Sequence, residues 1–348
     1  MDDGITERLY VSRSGGPEVL ELRREPIRPP GPGEVSVRVR AAGVNFADIF
    51  IRLGLYGPAP KPPLVPGFEA AGEVDGVGPG VTDLAPGDRI VTVTRFGGYA
   101  RRLVIEARRA FRLPEGWSFE EGAAFPAVYL TAWHGLANVA RVRPRERVLV
   151  HSAAGGVGIA AGQLARPLGV EMIGTVGSAA KIETAKAAGY RHVVDYSVVD
   201  FETAVRDWLR PQGADGVDVV LDAVGGAFSR KGYRLLRGGG RLVCFGLAGF
   251  TPRGRRPSLA RLAFEYARMP RFNPMSLIGD NRSVGGFQVL LLWDRLDLLG
   301  DAMARLLALA RDGAIRPTVS ATFPLERAGL AQQLLHAGKT TGKLVLTC

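Results

Sequence analysis

One stretch near the middle of the chain constrains the fold most, because an apolar run leads there into a cluster of glycines. Residues 148–158 read Val-Leu-Val-His-Ser-Ala-Ala-Gly-Gly-Val-Gly, which predicts a strand, a tight turn and the start of a helix. Glycines in such a turn let the backbone approach a pyrophosphate, and the helix N-terminus offers N–H groups and a positive dipole end. The plain G-x-G-x-x-G spacing is not met, because Ala153 takes its first position. We expect cofactor contacts from Ala154, Gly155, Gly156, Val157 and Gly158.

The segments after this turn alternate between short apolar runs and helical patterns. Helices are expected at 157–168, 179–188, 201–210 and 228–236, and strands at 170–176, 193–195, 217–222, 241–245 and 284–289. Strands alternating with helices of about ten residues predict a parallel sheet in a doubly wound α/β domain, that is, a Rossmann domain.

The first third of the chain follows a different pattern. Residues 35–40 alternate with period two, and short strand candidates at 70–77 and 89–94 are separated by Pro-Gly turns, which is typical of a small, irregular β-rich barrel. A helix is predicted over 119–139. After a further helix at 298–311, strands at 317–325 and 344–347 return to the first domain. We therefore expect a Rossmann domain at 127–292, inserted in a discontinuous barrel domain formed by 1–126 and 293–348.

The composition excludes several classes of protein. No apolar run approaches the roughly 18 residues that span a bilayer, and the acidic, polar start is unlike a secretory signal, so we expect a cytoplasmic protein without a membrane span. The two cysteines, Cys244 and Cys348, exclude a disulfide framework and a cysteine-based zinc site. The four histidines are scattered, and we assign no metal ligand.

The formal net charge is +11, and one dense basic run extends from Arg253 to Arg271 with Glu265 as its only acid. A solvated basic face is the interpretation that we prefer for this run. The alternative is an anionic ligand such as the tail of coenzyme A, and we expect no nucleic-acid partner.

The end of the second strand bears on which dinucleotide binds. An NAD enzyme places an Asp or Glu about 20 residues past the glycines, on the ribose 2′-hydroxyl, but residues 175–181 contain no acid. Gly177 lies at the turn, Ser178 can donate a hydrogen bond to a 2′-phosphate and Lys181 can supply charge. Hydrogen bonds to charged groups contribute about 1.5–3 kcal/mol, a roughly ten- to hundredfold preference for NADPH. The alternative is that Lys181 is a solvated helix residue.

Several blocks, in order along nearly the whole chain, resemble the zinc-free quinone oxidoreductase branch of the medium-chain dehydrogenases/reductases. The blocks are residues 42–48, 66–74, 86–91, 130–133, 152–158 and 342–345. Residues 272–287 are closer still to the vesicle amine transport protein-like relatives in that branch. Zinc-using members carry a Cys, a His-Glu pair and a four-cysteine lobe. This chain has Asn45, then Phe68-Glu69, and no such lobe.

The resemblance implies a GroES-like catalytic domain and a set of residues around the nicotinamide. Asn45 and Thr131 would orient the cofactor amide and ribose, and Tyr56 would donate a hydrogen bond to the substrate oxygen. The alternative for Tyr56 is a packed loop tyrosine. Asp48 would have a structural, capping role.

The resemblance also implies further contacts to the cofactor. Tyr196 should lie near the 2′-phosphate, and two turns should pass the nicotinamide half. Lys343 either reaches a phosphate or lies on the surface. The turn residues are Val224 and Gly225 in the first turn, and Phe245, Gly246 and Leu247 in the second.

Conjugate reduction is the chemistry that fits a site without a metal. Hydride would pass to the β-carbon of a carbonyl-conjugated double bond while charge develops on a distant oxygen, where hydrogen-bond donors suffice. Enones, enoyl thioesters and quinones are candidate substrates, and an acyl-CoA such as a short branched enoyl-CoA is the one toward which the alternative interpretation of the basic run points. The resemblance suggests a homodimer through the edge strand at 284–289. The alternative is a non-catalytic, membrane- or lipid-associated binding protein like the vesicle amine transport relatives.

Overall fold

The computed structural model describes residues 4–251, 263–264, 266–267 and 269–348. The chain divides into two compact units, Met1–Val128 with Trp293–Cys348, and Tyr129–Leu292. We call these the barrel unit and the Rossmann unit. The assignment of catalysis to the first and of cofactor binding to the second stays a proposal.

The secondary structure of the described residues is numbered here in chain order. The strands are β1 Ile5–Val11, β2 Leu20–Pro26, β3 Glu34–Val44, β4 Glu69–Val77, β5 Arg89–Val93, β6 Arg102–Glu106, β7 Ala110–Arg112, β8 Arg147–His151, β9 Glu171–Val176, β10 Tyr190–Asp195, β11 Val217–Asp222, β12 Leu236–Cys244, β13 Ser283–Gly286, β14 Val319–Pro324 and β15 Lys343–Thr347. The helices are α1 Phe46–Arg52, α2 Phe119–Ala123, α3 Pro126–Trp133, α4 Gly156–Gln163, α5 Ala165–Leu168, α6 Ile182–Ala187, α7 Phe201–Leu209, α8 Ala227–Leu235, α9 Pro274–Asp280, α10 Leu296–Arg311 and α11 Ala328–His336.

The Rossmann unit is built on a parallel sheet in the order β10-β9-β8-β11-β12-β13. Each of its central strands has apolar residues in the middle, and Leu149, Ile173, Val220 and Leu242 are completely buried. The strand order reverses between β8 and β11. In sheets of this kind ligands bind beyond the carboxyl ends of the strands at such a switch point, so the predicted doubly wound fold is confirmed and the glycine turn after β8 lies at the expected place.

The barrel unit contains a sheet in the order β14-β15-β3-β4-β5-β7, in which β6 also pairs with β3. The β14–β15 pair is parallel and the other pairs are antiparallel. Leu344 lies opposite Val44, and Ala42 lies opposite Ala70. This register brings the residues that begin β4 and β15 to the end of β3, where the chain turns into α1.

Two sequence-based expectations need correction in detail. The helix predicted over 119–139 is interrupted after Ala123, resumes as α3, and continues as a π-helical segment, His134–Val139. The last strand ends at Gly286 instead of Val289, because Gly286 pairs with Cys244, the final residue of β12. The Phe287 ring beyond it stacks on Phe245 within the chain.

The arginines of the basic run lie outside the described residues except for Arg271, which is exposed. Across the residues that are described, no helix is both long and apolar enough to cross a bilayer.

Candidate cofactor and active site

The glycine turn of the Rossmann unit is shaped by one close contact. Ser152, directly after β8, has a positive φ of 60°, and Gly155 caps α4. A Cβ on Gly158 would lie 2.6 Å from the Ala153 carbonyl oxygen and would also collide with that of Ser152. Only glycine lets α4 start this close to the turn, and the first N–H groups of a helix have no partner within it. The turn therefore has the form that an anionic pyrophosphate requires.

A second turn region lies where β9 and β10 end, and we call residues 177–181 together with Tyr196 the corner. The Tyr196 N–H donates to the Val176 carbonyl at 3.0 Å, and a Cβ on Gly177 would lie 2.7 Å from the Tyr196 hydroxyl. The Lys181 N–H donates to the Ser178 carbonyl at 3.1 Å, and burial lowers the pKa of the Lys181 ammonium. The structure thus brings Tyr196 against the turn that carries Ser178 and Lys181.

The carboxylate of Asp195, which precedes Tyr196 in the sequence, accepts hydrogen bonds from its own loop. Asp195, the last residue of β10, accepts from the Ser197 N–H at 2.9 Å and from the Ser197 hydroxyl at 2.7 Å. Residues 177–181 carry no acid. Residues 177–181 therefore offer the Ser178 hydroxyl and the Lys181 amine, and no carboxylate.

A buried carboxylate shapes the third turn. Asp222 ends β11 and accepts from the Val224 N–H at 2.8 Å, the Gly225 N–H at 3.1 Å and the Ser229 hydroxyl. The turn after β12 runs beside it, since the Ala248 N–H donates to the Ala223 carbonyl at 3.0 Å. A Cβ on Gly246 would lie 2.7 Å from that same carbonyl oxygen. The two predicted nicotinamide turns are thus brought together. Sequence reasoning missed Asp222, an acid that directly follows the apolar residues Val219, Val220 and Leu221 of β11.

In the barrel unit, Asn45 belongs to a buried polar triangle with Glu69 and Lys343. The Lys343 ammonium lies 2.6 Å from Glu69 Oε1 and 2.5 Å from Asn45 Oδ1. The Asn45 side-chain N–H donates to the same Glu69 oxygen at 2.9 Å. Lys343 is 4% exposed and Glu69 is completely buried. Of the two alternatives for Lys343, the surface position is therefore wrong, and its contact with a cofactor phosphate stays a prediction that this buried ion pair disfavours.

Asp48 organises the start of α1 in the same unit. Its carboxylate accepts from the Asn45 N–H at 2.8 Å, the Gly67 N–H at 3.1 Å and the Tyr99 hydroxyl at 3.0 Å. Burial raises the pKa of Asp48 to about 6 in spite of these donors. The structural, capping role expected for Asp48 is what these contacts provide.

Tyr56 lies half-buried beyond α1, with its ring centroid 6.1 Å from that of Phe68. Phe68 in turn lies 5.8 Å from Phe96, so the three rings form a series. Within the described part of the chain, the Tyr56 hydroxyl makes no hydrogen bond, whereas the hydroxyl of Tyr99 donates to Asp48. Burial, followed by the nearby Asp48 charge, raises the pKa of Tyr56. Its hydroxyl is therefore a protonated donor at neutral pH.

Thr131 is partly buried on α3 and belongs to the Rossmann unit, whereas Asn45 and Tyr56 belong to the barrel unit. The structure thus places the three predicted catalytic residues in two separate units. Among the described residues there is also no group of three or more His, Cys, Asp or Glu side chains that could hold a metal ion.

Comparison with known proteins identifies the family. Residues 31–115 match the alcohol dehydrogenase GroES-like domain, and residues 188–346 match the zinc-binding dehydrogenase model. The chain is 38% identical over 349 residues to the synaptic vesicle membrane protein VAT-1 homolog of Danio rerio. The match covers 99% of this chain and 71% of that protein. The chain belongs to the medium-chain dehydrogenase/reductase family, in its zinc-free, quinone oxidoreductase-like branch.

Solved structures of this family match the whole chain. The quinone oxidoreductase of Escherichia coli, complexed with NADPH, is 32% identical, with a TM-score of 0.84 over 98% of this chain and 100% of that one. The CurK enoyl reductase is 26% identical, with a TM-score of 0.84 over 98% and 99%. These likenesses support an oxidoreductase with a nicotinamide cofactor.

Proposed function

We propose that this medium-chain dehydrogenase/reductase is a zinc-independent, NADPH-dependent reductase that delivers hydride to a conjugated C=C bond or to a quinone. The observation that carries the proposal is the Tyr56 hydroxyl, a half-buried donor without a hydrogen bond to the rest of the described chain. Such a group can bind an oxygen on which negative charge develops, and one well-placed donor of this kind contributes about 3 kcal/mol. A reduction that ends in an enolate or a hydroquinone anion uses it directly.

The cofactor would be held by the Rossmann unit. The N–H groups of Gly156 and Val157 would bind the pyrophosphate, and the absence of a Cβ at Gly158 keeps them near the turn. Ser178, Lys181 and Tyr196 would bind the 2′-phosphate, which is the part that distinguishes NADPH from NADH. When bound, NADPH supplies the hydride.

The residues around the nicotinamide would orient the reactants. Asn45 and Thr131 would bind the cofactor amide and ribose, and the Val224–Gly225 and Phe245–Leu247 turns would support the ring. Tyr56 remains protonated through neutral pH, so it stabilises the developing charge as a donor. Solvent then completes the product by supplying a proton.

The series of Tyr56, Phe68 and Phe96 rings favours a flat, conjugated acceptor. Aromatic rings pack best against other flat π-systems, with centroids 4.5–7 Å apart. Quinones and enones are flat, conjugated acceptors of this kind. In an enoyl thioester, such as a short branched enoyl-CoA, only the conjugated end of the molecule is flat in this way.

The test is NADPH oxidation at 340 nm against a quinone, a simple enone, crotonyl-CoA and 3-methylcrotonyl-CoA, with NADH in parallel. We expect turnover of at least one acceptor and a preference for NADPH. Preference for one CoA ester would establish an enoyl-thioester reductase and would assign a role to the basic run, Arg253–Arg271. The proposal fails if no acceptor is reduced and NADPH does not raise the melting temperature.

The proposal includes a homodimer formed through the edge of the Rossmann sheet, and a cytoplasmic location that rests on the sequence alone. β13 pairs on one side with β12, and the neighbouring Met275, Ile278 and Leu291 expose apolar side chains. Light scattering after gel filtration should give twice the chain mass of 37.2 kDa. Two residues of the apolar run after β13 pack within the chain, since Leu290 is buried and the Phe287 ring stacks on Phe245.

A second candidate function comes from the similarity to the VAT-1 homolog, whose name describes a synaptic vesicle membrane protein. In that case the chain would be a non-catalytic membrane- or lipid-associated binding protein. Sedimentation with liposomes in the absence of cofactor, together with no turnover of the acceptor panel, would favour it over the reductase.

A further inference from the structure

We propose that Glu69 and Lys343 are positioning residues that hold the side-chain amide of Asn45 in one orientation toward the nicotinamide cofactor. The inference rests on the proposed function, because it requires a cofactor that Asn45 contacts. The observation behind it is the closed triangle in which each of the three side chains contacts the other two at 2.5–2.9 Å.

The charges of the triangle decide how the amide points. The Asn45 oxygen faces the Lys343 ammonium, and its NH₂ group faces the Glu69 carboxylate. A flipped amide would place NH₂ against the ammonium and C=O against the carboxylate, which replaces two attractive contacts by two repulsive ones. Hydrogen bonds to charged partners are roughly twice as strong as neutral ones, so one orientation dominates.

The triangle leaves part of the amide available to a ligand. An asparagine side chain has two N–H donors and two lone pairs on its oxygen. One donor binds Glu69, and the Gly43 carbonyl lies 3.5 Å from the nitrogen, at the outer limit of a hydrogen bond. The side-chain oxygen also takes part in the capping box of α1 with the Asp48 N–H. The second N–H is therefore the part of the amide that is left to a ligand, and Glu69 and Lys343 set its direction.

Glu69 is itself fixed from the opposite side. Its second oxygen accepts from the Ala127 N–H at 2.7 Å. A Cβ on Gly43 would collide with the first oxygen and with the Ala123 carbonyl, so glycine at 43 makes room for the carboxylate. The chain thus provides both a backbone donor and a side-chain-free position to hold one buried acid.

Stability alone is a weak reason for this arrangement. Taking both charges out of water is costly, and apolar replacements of buried ion pairs are often neutral or stabilising. The orientation of a cofactor-binding amide gives the pair a function that apolar residues could not perform.

The test is a double-mutant cycle on NADPH binding, with no turnover needed. Its three members are Asn45→Ala, the charge-neutral pair Glu69→Gln with Lys343→Met, and the combination of all three changes. The dissociation constant of NADPH is measured by calorimetry, and the melting temperature of each protein is measured in parallel. We expect the pair to weaken NADPH binding about tenfold, which is the effect of about one hydrogen bond. In the Asn45→Ala background the same pair of substitutions should change the dissociation constant of NADPH less than twofold.

An equal loss of affinity in both backgrounds would overturn the inference, because it would mean that the pair acts through general stability. If the neutral pair does not fold, Glu69→Gln alone replaces it in the cycle, because this substitution keeps the size of the side chain. It too should weaken NADPH binding only where Asn45 is present. If the wild type itself binds no NADPH, the proposed function fails as well. Binding by the wild type with additive effects refutes the positioning role alone.

Discussion

Replacement of Gly158 by alanine tests the glycine turn most sharply. The added Cβ would lie 2.6 Å from the Ala153 carbonyl oxygen, 0.8 Å short of the 3.4 Å at which ordinary contact begins. Both partners of this contact are backbone, so α4 must move away from the turn that positions its N–H groups. If two hydrogen bonds to the pyrophosphate are lost, at about 1.5–3 kcal/mol each, NADPH binding should weaken by roughly 10²- to 10⁴-fold. Calorimetric titration with NADPH measures the change.

Gly300→Ala is the matched control. Gly300 lies within α10, and a Cβ there would meet no atom within 4 Å. Alanine in a helix is favoured over glycine by about 1 kcal/mol, so this variant should be as stable as the wild type or more so and should bind NADPH normally. If Gly158→Ala binds NADPH within threefold of the wild type, the glycine turn is not the pyrophosphate site.

The remaining predictions concern single side chains. Tyr56→Phe should lower kcat about a hundredfold, by the loss of about 3 kcal/mol of charge stabilisation, while the Kd of NADPH is unchanged; an unchanged kcat would leave Tyr56 as a packed loop residue. Lys181→Ala should weaken NADPH binding at least tenfold and leave NADH binding unchanged, whereas the exposed control Lys186→Ala should affect neither; equal losses for both cofactors would argue against a 2′-phosphate contact. The pKa of Asp48 is raised from 3.8 to about 6, so its protonated form stabilises the fold fully below pH 4 and this contribution is lost as the pH rises through 6. The free energy of unfolding of the wild type relative to Asp48→Asn should fall by about 2.4 kcal/mol between pH 4 and 7.5; a flat difference in denaturant titrations would show that Asp48 ionises normally.

The Rossmann sheet could be predicted because its signals are local. Each strand is a short apolar run, each helix follows within a few residues, and the glycine turn marks where the order begins. The parallel strands β8 to β12 accordingly lie where the alternation placed them. The end of β13 could not be predicted from local sequence. Gly286 is the last residue of β13 because it pairs with Cys244, where the neighbouring strand β12 ends.

The Asn45–Glu69–Lys343 triangle of the barrel unit could not be predicted, because it depends on pairing between strands that are far apart in the sequence. Lys343 at the edge of an apolar run resembles a surface lysine in the sequence, yet the pairing of β15 with β3 buries it beside Asn45. Glu69 reaches the same point through the β3–β4 register, and no local signal joins it to Lys343. Asp222 was missed for a related reason, since only the fold shows that its carboxylate binds the N–H groups of the turn that follows it.

Hydride transfer from bound NADPH to a conjugated acceptor is the central claim, and single-turnover stopped-flow fluorescence tests it most directly. Excess enzyme loaded with NADPH would be mixed with each acceptor of the panel, and again with NADPH that carries deuterium at the transferred position. We expect at least one acceptor to quench the NADPH signal in a single exponential, and deuterium to slow this quenching. An NADPH signal that stays constant with every acceptor would show that the protein transfers no hydride to these acceptors.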